Sequence, residues 1–89
     1  MFTGIIETLG RIEKLEIDQS NLHVTITTPL AKELKVDQSV SHNGVCLTVV
    51  EQNEDSYTVT AIEETLNKTN LGTWSEGDLV NLERGMQLG

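Results

Sequence analysis

The chain has 89 residues, 37% apolar and 22% charged, which fits one small globular domain and excludes a disordered chain. Six basic against fourteen acidic residues leave a formal charge of −8, a field that repels DNA and RNA. A single cysteine forms no internal disulfide and sits in no Cys-x-x-Cys spacing, so structural zinc is unsupported.

The start, MFTGIIETLG, has neither a basic segment nor a long apolar run, so no signal peptide or membrane span is expected there. The default setting is reducing and cytoplasmic. In that setting the triplet Asn67-Lys68-Thr69 carries no weight as a glycosylation site.

In TGIIETLGRIEKLEI, Ile5, Leu9, Ile12 and Leu15 recur at helical spacing. Gly10 in the middle, the absence of a capping side chain at Gly4 and the isoleucines argue instead for a strand. Its alternation changes phase between Ile12 and Leu15, which predicts a bent strand with a bulge. NLHVTITT alternates cleanly, with Leu22, Val24 and Ile26 opposite His23, Thr25 and Thr27. The only proline, Pro29, ends that strand, and a short helical turn is expected over residues 30–35.

Asn43-Gly44 is a corner signal, since both residues tolerate positive φ. VCLTVV then places Val45, Leu47 and Val49 on one face and Cys46, Thr48 and Val50 on the other. YTVTAI sets Tyr57, Val59 and Ala61 opposite Thr58, Thr60 and Ile62. A second helical turn is expected over residues 64–69, and LVNLE follows the Gly77-Asp78 turn as a further strand. Short strands at roughly 10-residue spacing predict a small antiparallel barrel, whose closure removes exposed edges.

Taken alone, the marked residues have ordinary readings. Cys46 is a small hydrophobe unless a neighbouring group stabilises its thiolate, and His42 is the only candidate close in sequence. His42 before the corner reads as an imidazole bonding nearby backbone, and His23 as solvent-facing. The two histidines are too far apart for a common metal motif. Thr48 and Thr60, beside Cys46 and Ile62 on non-core faces, make a surface suited to a flat polar heterocycle.

MFTGII, SHNGVCLTV, EETLNKTNLG and GDLVNLERGMQLG stand in order along the whole chain. As a set they resemble the N-terminal half of riboflavin synthase. The resemblance implies an all-β, six-stranded antiparallel Greek-key barrel, with residues 1–89 forming a single lumazine-binding domain. In that family two such barrels follow each other in one chain and three chains assemble. Two molecules of 6,7-dimethyl-8-ribityllumazine exchange a four-carbon unit, giving riboflavin and a diaminopyrimidine, without metal or redox cofactor. The active site lies between the N-terminal barrel of one chain and the C-terminal barrel of another.

Carried over by position, the substrate-binding residues are Gly4, Ile5 and Ile6, then Cys46, Leu47 and Thr48, then Thr60, Ala61, Ile62, Glu63, Glu64 and Thr65. Cys46 and Phe2 are the catalytic candidates, and no metal ligand is implied. The family continues into a Gly-Gly-His segment and a second barrel, whereas this sequence stops at Gly89 and reads as a single-barrel fragment. A homodimer is the expected assembly of such a fragment. The alternative reading is a non-catalytic lumazine or flavin carrier of the antenna type, and a third is a barrel that serves assembly alone.

Overall fold

Six strands carry the alternating segments: β1 (Thr8–Asp18), β2 (Asn21–Thr27), β3 (Ser39–His42), β4 (Val45–Gln52), β5 (Ser56–Ala61) and β6 (Leu79–Arg84). The computed structural model describes residues 6–69 and 71–85. The strands close into a barrel in the order β1-β2-β5-β4-β3-β6, every neighbouring pair antiparallel. Strands β3, β4 and β5 follow one another as hairpins while β2 returns to lie beside β5, a Greek-key arrangement.

The inward positions are those the alternation assigns. Val24, Ile26, Val40, Val49, Tyr57 and Val59 are fully buried. The first segment is a strand throughout, and its register shifts between Ile12 and Lys14. The extra residue there, Glu13, turns the phase so that Ile12 stays inside and Leu15 half-buried. Gly10 is buried on this strand because a Cβ there would lie 2.5 Å from Ile26 Cγ2 and 2.8 Å from Leu82 Cδ1.

The two expected helical turns lie at Pro29–Glu33, as a 3₁₀ turn, and at Glu63–Lys68, the one α-helical segment (α1) among the described residues, and a further 3₁₀ turn follows at Leu71–Thr73. Thr28 precedes the first, and its hydroxyl oxygen accepts from Leu30 N at 3.3 Å. Among the described residues no helix is long and apolar enough to cross a membrane.

Strand β3 is absent from the reading of the residues, although the six-stranded resemblance required it. In its four residues, SVSH, one of the two inward side chains is an imidazole, which no apolar pattern counts.

Candidate functional site

Asn43 and Gly44 join β3 to β4 with φ of 51° and 89°, the left-handed pair of a two-residue hairpin turn. The turn is tied to β6, where Asn43 N donates to Asn81 O at 2.9 Å and Asn43 Oδ1 accepts from Asn81 N at 2.8 Å. That anchorage sets the phase of β4, and Cys46 and Thr48 emerge on the outer face. Interior space is filled by side chains, as a barrel this small requires, so a ring system must bind outside.

Across the outer face, Ser39 lies opposite Thr48 and Ser41 opposite Cys46. Strand β5 pairs Val59 with Val49, which brings Thr60 alongside Thr48. Strand β2 then sets His23 directly opposite Thr60. The result is a row of short polar groups, with Ile62 beyond it at 51% exposure. Two recesses border the row. One of about 300 Å³ is lined by Ile6, Ser41, Asn43 and Glu83 among others, and one of about 410 Å³ by His23, Thr25, Val50 and Thr58 among others.

Of the residues expected at a ligand, Cys46, Thr48, Ile62, Glu63 and Glu64 are exposed, and Thr60 and Thr65 half-buried. Glu64 lies in α1, with its carboxylate accepting from Lys68 Nζ at 2.8 Å. Ile6 is exposed next to Glu7, which is held to β6 by Glu7 N donating to Leu82 O at 2.8 Å. The Arg84 guanidinium, donating from Nε at 2.9 Å, keeps the Glu7 carboxyl below the usual carboxylate range. Phe2, Gly4 and Ile5 lie outside the described residues.

Two expectations need correction. Leu47 and Ala61 are 5% and 0% exposed and point into the core, so their side chains cannot meet an outer-face ligand. Only their backbone reaches that face, because alternation sends every second residue inward.

His42 does not serve Cys46, although the backbone of Val40 and Val45 on either side of the corner does act on its ring. It is wholly buried inside the barrel, on the opposite face of the sheet, with Nε2 2.7 Å from Tyr57 Oη. Its ring centroid lies 5.7 Å from that of Tyr57 and 6.4 Å from that of Trp74. Burial pushes the imidazole pKa down from 6.5 to about 4 against a smaller opposing effect of the Val45 and Val40 backbone, and among the described residues Nδ1 makes no well-formed hydrogen bond.

His23 is more than solvent-facing. Its Nδ1 lies 2.8 Å from Thr60 Oγ1 and its Nε2 3.5 Å from Asp18 Oδ2. Nothing in local alternation points to this, because the contact depends on the register of β2 against β5. Among the described residues no group of three or more His, Cys, Asp or Glu is placed to hold a metal ion.

Residues 3–85 match the lumazine binding domain family. The chain belongs to that family. This lumazine-binding domain is 37% identical over 87 residues to the riboflavin synthase of Bacillus subtilis (strain 168), covering 97% of this chain and 40% of that protein. It is 41% identical over 91 residues to the riboflavin synthase of Mycobacterium bovis (strain ATCC BAA-935 / AF2122/97), covering 100% of this chain and 45% of that one. The chain therefore spans less than half the length of the riboflavin synthases it matches. Among solved structures, LumP complexed with riboflavin superposes with a TM-score of 0.87 at 29% identity, covering 100% of this chain and 51% of that one. LumP complexed with 6,7-dimethyl-8-(1'-D-ribityl) lumazine gives 0.86 at 29% identity, covering 100% and 52%.

Proposed function

We propose that this domain binds riboflavin and 6,7-dimethyl-8-ribityllumazine on the outer face of the barrel, as the N-terminal half of a riboflavin synthase. The observation that carries the reading is the row Cys46–Thr48–Thr60–Ile62, presented outward from a barrel whose interior is full. Small apolar groups with interspersed hydroxyls suit the face and edge of a flat heterocycle. The proteins it resembles include riboflavin synthases and a LumP that holds either ligand.

In the whole enzyme the reaction is a transfer of four carbons between two lumazines, needing no metal or redox cofactor. One ring loses a proton from its C7 methyl group while the other accepts a nucleophile. In this reading Cys46 contacts the ring bound here, which its exposure on the outer face supports, and Phe2 is the second catalytic candidate. We assign the complete enzyme to the cytoplasm as a homotrimer of two-barrel chains. The 89-residue chain by itself would pair as a homodimer across apolar outer surface that includes Ile6, Leu9 and Leu79, each at least half exposed. Sedimentation at micromolar concentration tests that pairing.

By itself this chain binds but does not turn lumazine over, because stacking two pteridines in reactive alignment calls for two complementary barrels. A non-catalytic carrier is the second reading. The TM-score of 0.87 to LumP favours it, while the 37% and 41% identities to synthases, against 29% to LumP, favour the enzyme lineage. Incubating the purified chain with 6,7-dimethyl-8-ribityllumazine is expected to change the lumazine fluorescence saturably without forming riboflavin above the uncatalysed rate. Turnover at an ordinary enzymatic rate would refute the claim for the isolated chain, and absence of any binding would refute the proposal.

A further inference from the structure

We propose that His23 is a positioning residue for the outer-face ligand, setting the Thr60 hydroxyl as a hydrogen-bond acceptor. The inference rests on the flavin-binding reading above and adds to it a residue outside the segments that carried it.

Leu22 opposite Ala61 and Val24 opposite Val59 leave His23 and Thr60 facing each other on the outer side of the sheet. Nδ1 and Oγ1 are 2.8 Å apart, a well-formed hydrogen bond between half-buried groups. On the far side of the ring, Asp18 Oδ2 lies 3.5 Å from Nε2. A carboxylate there favours a proton on Nε2, which leaves the Nδ1 lone pair to accept from the Thr60 hydroxyl. The hydroxyl proton is then committed to the imidazole, and the Thr60 oxygen turns its lone pairs outward. Such an oxygen selects a ligand that donates, through a ring N–H or a side-chain hydroxyl, and disfavours one that only accepts.

A cross-strand hydrogen bond can also serve the sheet alone, and the next outward pair shows what that looks like. Thr25 and Thr58 lie 3.2 Å apart through their hydroxyls, with either able to donate. His23–Thr60 differs in having a carboxylate, that of Asp18, 3.5 Å from the far ring nitrogen. It also differs in place, because Thr60 stands beside Thr48 in the proposed contact row.

The test is a double-substitution cycle read by riboflavin fluorescence quenching in the 89-residue chain, with melting temperature followed in parallel. His23→Phe keeps a planar ring on the strand and removes both nitrogens. It is expected to weaken riboflavin binding about fivefold, the scale of one neutral hydrogen bond, with little change in melting temperature. In a Thr60→Val background the same substitution should cost nothing further, whereas in a Thr60→Ser background the fivefold loss should return. Thr58→Val, the control on the neighbouring pair, should leave affinity unchanged. Equal loss from His23→Phe with and without the Thr60 hydroxyl overturns the positioning role, as does a change in melting temperature with affinity intact. A wild-type chain that leaves riboflavin fluorescence unperturbed overturns the underlying binding reading as well, so the two failures are distinguishable.

Discussion

His42 Nε2 and Tyr57 Oη lie 2.7 Å apart in the middle of the barrel, and neither side chain has any solvent exposure. Each is the other's means of burying a polar atom, since an unpaired one costs about 1–3 kcal/mol. Tyr57→Phe keeps the ring but strands the imidazole, so it should lower unfolding free energy by about 1–3 kcal/mol, read from urea denaturation.

The same pair makes the fold acid-sensitive. The His42 pKa falls from 6.5 to about 4 on burial, so below the ordinary value the unfolded chain binds a proton that the native chain refuses. Stability is therefore full above that value and falls as pH drops toward the folded one, by up to about 1.4 kcal/mol per pH unit for one proton. Denaturation curves across this window should show the slope. His42→Phe should flatten it down to the ordinary carboxylate value, below which the depressed Glu7 carboxyl adds its own loss. A slope unchanged by the substitution would show that His42 is not its source.

Gly10 is where two core side chains close over the backbone of β1. Ile26 Cγ2 and Leu82 Cδ1 would meet an added Cβ at 2.5 and 2.8 Å. Gly10→Ala should cost about 1–3 kcal/mol as an overpacking substitution, read as a lower denaturation midpoint with an unchanged slope. A neutral outcome would mean that β1 can move outward at no expense.

Thr48 stands on the outer face with its methyl and hydroxyl away from the core. Thr48→Val keeps the shape, so stability should hold while riboflavin affinity falls about fivefold, roughly 1 kcal/mol. Loss in melting temperature with affinity unchanged would make Thr48 a structural residue.

Much of this arrangement was legible before any coordinates, because period-two patterning reports which face a residue occupies. The faces of β2, β4 and β5 and the bulge after Ile12 follow from it. What it cannot report is register between strands distant in sequence. The row Ser39–Thr48–Thr60–His23 is a product of three pairings, and no local pattern encodes it. His42 escaped for another reason. A lone imidazole before a turn gives no sign that a tyrosine 15 residues further on will receive it inside the barrel. Leu47 and Ala61 belong to contiguous segments that the resemblance assigns to the ligand, yet alternation sends both side chains into the core.

Cys46 is exposed on the same face as Thr48. A thiol reagent should therefore modify it in the native domain, and saturating riboflavin should slow that reaction by covering the sulfur. Modification at the same rate with and without riboflavin would remove Cys46 from the contact surface.

A riboflavin titration followed through backbone amide chemical shifts locates the ligand on the outer face between β4 and β5. Saturable shifts are expected, centred on Cys46, Thr48, Thr60 and Ile62 and extending to His23 and Thr65, with the interior residues Val24 and Val40 little affected. Shifts centred instead on the groove of about 400 Å³ lined by Leu15, Ile17, Leu22, Leu66, Leu71 and Trp74, or no shifts at saturating riboflavin, would contradict that placement.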